Sequence, residues 1–448
     1  MQAAFDTIAA VATARGRGAI GVLRISGPLT EKVLDGLFAS KSGKKAAAFG
    51  SFKLRFGDFS NAAGERVDSG MVFFAKSPKS YTGEDYAELF CHGNPLIMEE
   101  LLRAALALGA VPAKPGEFTR RAFLNGKMDL SQCEGVDELV RANSPAYAGA
   151  AWRLQNGGLR RRLEPLADSL NKVYAHLQGA IEFPEDVDED REKWLAELKK
   201  AEAVLKDILK NAKTSAKVKD GLRAAIAGRP NAGKSSLFNC LLREERALVT
   251  QVPGTTRDVL RGELEIGGLS VILSDTAGLR KAKGKIEALG VEKARENLEE
   301  ADVILWLVDG NKKLTAREKE EIAFWSARKP LLAVSSKSDL NVAENGLQAC
   351  SSLSGEGVDK IRDFLRKQAE EILKDHEDLI LLKARHEKLL KSALANLGKA
   401  REGLEKKAFS ELVACDLGEG LENIWEVTGR KTPDEILDII FGEFCVGK

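Results

Sequence analysis

The chain has 448 residues, and its 68 Lys and Arg balance 67 Asp and Glu. That length exceeds a single core and suits about three domains, while the charge balance excludes a global basic field, so any RNA contact must come from local patches. Six scattered cysteines without a C-x-x-C, and four dispersed histidines, exclude a disulfide framework and a zinc site and suit a reduced, cytoplasmic protein.

Met1–Asp6 carry no basic segment and no long apolar run follows, so neither a signal peptide nor a membrane span is expected. Ala19–Ile25, Phe49–Phe59 and Val67–Ala75 read as strands. Phe52, Leu54 and Phe56 alternate with polar neighbours, the period of a half-buried sheet. Asn94–Pro95 opens a helix that runs through Leu101, Leu102 and Leu106 to a stop at Gly109. An α+β domain over residues 1–120 is expected. Two polar, glycine-containing stretches stand out there: Arg24–Ile25–Ser26–Gly27–Pro28, and Tyr81–Thr82–Gly83–Glu84–Asp85 with Glu88 and Cys91–His92–Gly93 beyond it. They suit ligand contact and surface turns equally. Gly116–Leu130 sets arginines and Lys127 beside aromatics, which suits an anionic ring-bearing ligand, RNA or a solvated helix face.

Ser144–Pro145 starts a helical stretch in which Leu159, Leu163, Leu166, Leu170, Val173, Leu177 and Ile181 form an apolar stripe. The acidic run Glu185–Asp190 reads as the first turn of the next helix rather than a metal site. Helical spacing resumes at Leu379–Leu404 and Leu412–Val427, and Thr432–Pro433–Asp434–Glu435 reads as a capping box before a last helix. These flanking helices have no apolar partner but each other. Residues 216–375 are therefore expected as an insertion between helical segments 121–215 and 376–448.

The insertion carries the chemistry. Gly228–Arg229–Pro230–Asn231–Ala232–Gly233–Lys234–Ser235–Ser236 fits G-x-x-x-x-G-K-[ST], between the apolar run Leu222–Ala227 and helically spaced Leu237, Phe238, Leu241 and Leu242. The glycines let backbone N–H groups turn onto phosphate oxygens, and the helix N-terminus adds partial positive charge. Lys234 is expected to reach the β- and γ-phosphates, and Ser235 to hold Mg²⁺. Gly254–Thr255–Thr256–Arg257–Asp258 stands where a switch loop belongs, with Thr256 as a second Mg²⁺ ligand. Asp275–Thr276–Ala277–Gly278 follows the strand Leu269–Leu273 and offers a carboxylate to Mg²⁺ through water and the Gly278 N–H to the γ-phosphate. Val303–Val308 and Pro330–Ser335 read as central parallel strands. After the second comes Ser336–Lys337–Ser338–Asp339, whose Asp339 can accept both guanine N1–H and N2–H. Ser351–Ser352–Leu353 is the last base-side loop. The set points to a Ras-like GTPase domain of the translation-factor type with GTP as its nucleotide.

Two departures matter. Ser336 stands where that motif begins with asparagine, and a serine is expected to keep part of the asparagine's tether to the P-loop through a water. Leu279 stands where many GTPases carry a water-orienting glutamine. Another group must align the attacking water, and Arg257 suits equally a finger that offsets γ-phosphate charge and a surface charge.

Along essentially its whole length the chain resembles the MnmE (TrmE) family of tRNA-modification GTPases. The carrying segments are Leu23–Pro28, Tyr81–Asp85, Phe123–Leu130, Gly228–Ser236, Gly254–Asp258 and the tail Phe444–Cys445–Val446–Gly447–Lys448. The resemblance implies a K⁺-activated, dimerisation-stimulated GTPase. Asn231, Thr250, the Val252 carbonyl and Thr255 would hold K⁺, and Thr250–Gln251–Val252–Pro253 would join the nucleotide contacts. Glu287 would orient water, answering Leu279. It implies a folate-binding N-terminal domain like that of glycine-cleavage T protein, with Arg24, Glu88, Lys127 and Lys448 contacting 5,10-methylene- or 5-formyltetrahydrofolate. Cys445 is then a candidate nucleophile or proton donor, or a small C-terminal side chain. The implied reaction installs an aminomethyl or carboxymethylaminomethyl group at the wobble uridine of tRNA. It would run as a homodimer with an FAD-dependent partner, MnmG (GidA), in a heterotetramer or larger assembly. A GTP-gated switch in ribosome assembly is the alternative; it accounts for residues 216–375 but not for the N-terminal motifs or the tail.

Overall fold

The computed structural model describes residues 6–45, 48, 50–183, 190–244, 260–275, 294–340, 346–374 and 378–448. They fall into two units. One comprises Met1–Asp137, Leu154–Val204 and Lys388–Lys448, the other Glu138–Arg153 and Leu205–Glu387.

In the first unit, alternating apolar residues build a seven-stranded sheet among the described residues, in the order β3-β4-β5-β6-β2-β1-β7. The strands are β1 (Ile8–Val11), β2 (Gly18–Ser26), β3 (Phe38–Ser40), β4 (Lys53–Ser60), β5 (Arg66–Ala75), β6 (Tyr86–Gly93) and β7 (Val111–Pro112). Leu23, Ile25, Val72, Phe74 and Leu89 share one face and pack on Leu101, Ala104 and Ala105 of helix Pro95–Ala107. The Asn94 side chain accepts from Leu96 N, and Pro95 needs no donor at the first helical position, so the helix starts as expected. On the opposite sheet face Leu54, Phe56 and Met71 are exposed. β6 was not expected as a strand. Glu88 and His92 mask its alternation, yet Ala87, Leu89 and Cys91 are buried on the core side.

Helix Gly158–Glu182 packs along helix Ser410–Thr428, joining two segments far apart in sequence, with Leu163, Leu170, Leu417 and Leu421 buried. The stripe begun at Pro145 is divided, however. Helix Pro145–Gln155 ends, and Gly157, at φ +75°, caps the next. Asp190 precedes helix Arg191–Lys210 as its cap, its Oδ1 accepting from Lys193 N at 3.2 Å, rather than lying in its first turn; residues 184–189 lie outside the described residues. The last helix is Asp434–Gly442, but Pro433 stands at its N-cap without a side-chain bond and the Thr432 hydroxyl has no partner among the described residues, so the expected capping box does not form. A capping box does form between Thr315 and Glu318, before helix Ala316–Ser326.

Among the described residues the second unit contains a six-stranded sheet in the order β13-β12-β11-β8-β10-β9. Its strands are β8 (Leu222–Gly228), β9 (Leu260–Ile266), β10 (Leu269–Asp275), β11 (Val303–Asp309), β12 (Leu331–Ser336) and β13 (Gln348–Ala349). All neighbours are parallel except β9 with β10. Every residue of β11 is buried, as its continuous apolar run requires. Crossover connections place the C-terminal ends of β8, β10, β11 and β12 along one edge, where such sheets bind ligands.

Candidate functional sites

The turn from β8 into helix Lys234–Glu244 is fixed by backbone geometry. Gly228 has φ +130°, and a Cβ there would lie 2.1 Å from Leu307 O on β11. Asn231 and Gly233 also have positive φ, +64° and +86°. Lys234 Nζ donates to the carbonyls of Gly228 and Arg229 at 2.9 and 2.7 Å, so the ammonium lies folded across the loop it serves. Ala232 is buried, whereas Asn231, Ser235 and Ser236 are exposed. Ser235 Oγ donates to Asp275 Oδ2 at 2.6 Å. The hydroxyl and carboxylate singled out for Mg²⁺ thus meet at the ends of β8 and β10, a donor set that fits a hard cation.

Beside them, Ser336 Oγ lies 2.7 Å from Ala232 O and 3.0 Å from Val308 O. The serine thus reaches the P-loop directly, not through a water as expected. Lys337, at φ +62°, donates through Nζ to Asp309 Oδ2 at 3.0 Å. Burial pushes the Asp309 carboxyl up, but hydrogen bonds from Lys337 and Asn311 N outweigh it and leave it below its ordinary value. Asp339 Oδ1 accepts from Ser351 Oγ, which also receives Leu353 N and Ser354 N, so the two base-side loops are tied together. Sequence reasoning missed a further support. Arg229 donates to Thr315 Oγ1 at 2.7 Å and pairs with Glu318 at 3.2 Å, fastening the P-loop to the capping box. No local signal links positions 229 and 318.

Thr250, Gln251, Val252, Pro253, Gly254, Thr255, Thr256, Arg257, Asp258, Thr276, Ala277, Gly278, Leu279 and Glu287 lie outside the described residues. The expected switch loop, most of the K⁺ set and the water-orienting acid are among them.

The first unit holds a second site. Arg24 on β2 and Glu88 on β6 face each other in register, and Arg24 Nε donates to Glu88 Oε1 at 2.8 Å. Tyr86 O–H reaches the same oxygen at 2.5 Å, and burial raises the Tyr86 hydroxyl well above its usual range, keeping it a donor. Arg24, Glu88 and Lys127 line a cavity of about 580 Å³ with Phe52, Phe73 and Tyr81. Lys127 Nζ donates to Pro78 O at 2.9 Å. The C-terminal tail folds against this domain. Arg24 also donates to Gly447 O at 2.8 Å, Gly116 N to Cys445 O at 3.4 Å, and Phe118 N to Lys448 O at 3.1 Å. Gly447 has φ +92°, and a Cβ would sit 2.6 Å from Val11 O, so only glycine fits. Lys448 is half-buried; burial first, then the Arg24 charge, lowers its ammonium below the ordinary lysine range. Lys448 does not line the cavity itself. Cys445 is exposed. Tyr81 heads a stretch singled out from the sequence, whereas Phe52 and Phe73 were read only as sheet residues, because their side-chain type is equally that of a core.

Among the described residues no helix is long and apolar enough to cross a membrane. Two family models match the chain, the MnmE helical domain over residues 130–445 and the N-terminus of GTP-binding protein TrmE over residues 7–127. A protein named tRNA modification GTPase MnmE from Heliobacterium modesticaldum is 37% identical over 99% of both chains. One of the same name from Aquifex aeolicus is 37% identical over 99% of this chain and 100% of its own. Among solved structures, Aquifex aeolicus Era bound to GDP·AlF₄⁻ matches at 27% identity, covering 39% of this chain and 66% of that one with a TM-score of 0.26.

Proposed function

The chain belongs to the MnmE family of tRNA modification GTPases, and from that premise we propose that it hydrolyses GTP to drive modification of the wobble uridine of tRNA. The group installed at C5 is aminomethyl or carboxymethylaminomethyl. Its carbon comes from 5,10-methylene- or 5-formyltetrahydrofolate in the N-terminal cavity, and an FAD-dependent partner of the MnmG type completes the reaction in the cytoplasm. Residues 1–120 form the folate and dimerisation domain, and residues 216–375 the G domain inserted between helical segments 121–215 and 376–448.

The observation that carries the reading is the N-terminal cavity itself. Three residues singled out from distant stretches, Arg24, Glu88 and Lys127, share its walls, and the family's terminal Cys-Val-Gly-Lys is hydrogen-bonded to one of them. Cations suit the glutamate of a folate. A carboxylate already paired with Arg24 through one oxygen has a second to offer the pterin N–H edge. The exposed apolar face formed by Leu54, Phe56 and Met71 supports homodimerisation through this domain.

On the nucleotide side, Lys234 turns from the loop carbonyls to the β- and γ-phosphates, and Asp339 selects guanine. Bound at Ser235, Thr256 and, through water, Asp275, Mg²⁺ would neutralise phosphate charge. Asn231 with Thr250, Val252 and Thr255 would hold K⁺ against the triphosphate in the place of an arginine finger. Glu287 orients the attacking water, and Cys445 serves the one-carbon transfer. Nucleoside analysis of tRNA from cells lacking this protein tests the whole reading: the wobble modification disappears if it holds, and its persistence overturns it.

A further inference from the structure

Glu88 meets its protein neighbours through one oxygen only. Arg24 Nε and the Tyr86 hydroxyl both donate to Oε1, at 2.8 and 2.5 Å. Two donors fill the two acceptor sites of that atom. Oε2 has no hydrogen-bond partner among the described residues and keeps accessible surface. The Glu88 side chain is 19% exposed and lines the cavity of about 580 Å³. The carboxylate is thus divided: one oxygen is held by the protein, and the other is open to a donor from a ligand.

The two donors to Oε1 are not equivalent. Arg24 is shared, since its Nη1 donates to Gly447 O of the C-terminal tail at 2.8 Å. Its guanidinium also stands at the end of a long side chain with much rotamer freedom to lose. Tyr86 is bound to neither the tail nor a flexible stem. It lies two residues before Glu88 on β6, so both side chains leave the same face of the sheet. Its ring packs among Ile8, Ala10, Ala113 and Phe118, with the Phe118 ring edge-on at 6.5 Å between centroids. Tyr86 is 4% exposed. Two χ angles fixed by that packing aim one hydroxyl at one oxygen. The strand register sets Arg24, Glu88 and Phe73 in a single row across β2, β6 and β5, and all three line the cavity. A ligand N–H that reaches Oε2 from that row needs the carboxylate to keep its present rotation.

We propose that Tyr86 is a positioning residue of the folate site: its hydroxyl holds Glu88 Oε1 and so turns Oε2 towards an N–H of the pterin. The role rests on the folate reading above, because the ligand supplies that donor; the orientation of Glu88 rests on the distances alone. Tyr86 acts through Glu88, and removing Glu88 removes the reason for the hydroxyl.

The test measures the affinity of the full chain for 5-formyltetrahydrofolate in the unaltered protein, Tyr86→Phe, Glu88→Ala and the double variant. Calorimetry reads the tight forms and saturation-transfer NMR the weak ones. Tyr86→Phe keeps the ring and its packing and removes only the hydroxyl. It should weaken binding by about tenfold, the lower end for a hydrogen bond to a charged group. In the Glu88→Ala background the same change should alter affinity by less than about twofold, because the hydroxyl has nothing left to hold. A loss by the same factor in both backgrounds shows a hydroxyl that supports the fold alone, and overturns the positioning role. Unchanged or tighter binding in Tyr86→Phe overturns it too. If the unaltered chain binds and Glu88→Ala weakens it while Tyr86→Phe does not, the folate reading stands and only the role of Tyr86 falls. If the unaltered chain does not bind 5-formyltetrahydrofolate, the folate reading falls and takes the role of Tyr86 with it.

Discussion

In the nucleotide unit, Gly228–Ser236, Asp275 and Ser336–Asp339 begin on the last residues of β8, β10 and β12, so each part arrives as a short contiguous stretch delivered by a parallel strand. In the amino-terminal unit Arg24, Glu88, Lys127 and Gly447 reach one place from four regions, the first and last 423 residues apart in sequence. Phosphate recognition by backbone N–H groups forces contiguity, because consecutive amides must converge on one anion. Recognition of a larger organic ligand by side chains imposes no such order. The first kind of site shows itself in spacing, the second only once the chain has folded.

That contrast is open to direct attack. If the P-loop geometry is what makes the nucleotide site, Lys234→Ala should cost the most of any single change. GTP turnover should fall by about 10³-fold or more, since the ammonium is the fixed charge on the triphosphate. Turnover by malachite-green assay at saturating GTP checks this, and a loss below tenfold would place the catalytic charge elsewhere. Next in size is the monovalent cation. Turnover should rise by about 10²-fold when Na⁺ is exchanged for K⁺, and Asn231→Ala should abolish the difference. Glu287→Ala should lower kcat by about 10²-fold with GDP affinity unchanged. Equal rates in the two salts, or an unaltered kcat, would return these residues to the surface.

How much of this was readable beforehand follows from the same contrast. The apolar runs at Leu222–Ala227, Leu269–Leu273, Val303–Val308 and Pro330–Ser335 match β8, β10, β11 and β12, the last run starting one residue before its strand and each strand extending one or two residues beyond the run at its carboxyl end. Buried parallel strands are apolar throughout, so nothing disguises them. β6 was hidden because its outward residues, Glu88 and His92, serve contacts: Glu88 pairs with Arg24, and His92 with Asp68 at 2.8 Å. The break at Gln155–Gly158 was legible yet missed: Leu154 and Leu159 stand five residues apart, off the helical step, and Asn156–Gly157–Gly158 is a turn signal, with Gly157 at positive φ. The pairing of Arg229 with Glu318 and of Asp339 with Ser351 is set by loop packing, which no periodicity encodes. The stretches that hold Arg24, Glu88 and Lys127 stood out by residue type, but a shared site for them was legible only through the family resemblance.

Smaller effects sharpen the amino-terminal side. Arg24→Ala removes a guanidinium that holds both Glu88 and the tail carbonyl of Gly447. Affinity for 5-formyltetrahydrofolate should drop about 10- to 100-fold, the range of a charged hydrogen bond, while GTP turnover stays as it was. Calorimetry with the full chain reads this, and unchanged affinity would remove folate from the cavity. Cys445→Ser should leave GTP hydrolysis intact and impair tRNA modification; full modification would make the thiol a spacer only.

The smallest expected effect is at Ser336, and it probes the nucleotide side where the chain departs from the usual base-specificity motif. The hydroxyl has one proton and two carbonyls within reach, Ala232 O at 2.7 Å and Val308 O at 3.0 Å, so it serves one or the other as donor. Ser336→Ala leaves both carbonyls without that donor in a site that is 4% exposed. The cost should be about 1 to 1.5 kcal/mol, read as a roughly tenfold faster release of a fluorescent GDP analogue. Because the tether also positions Asp339, the preference for guanine over hypoxanthine, which lacks the N2 amino group, should shrink in the same variant. A uniform loss for both bases would show that Ser336 supports the fold alone. An increase in GDP affinity on Ser336→Asn, with the guanine preference unchanged, would show instead that the serine keeps the tether and gives up only a direct contact with the nucleotide.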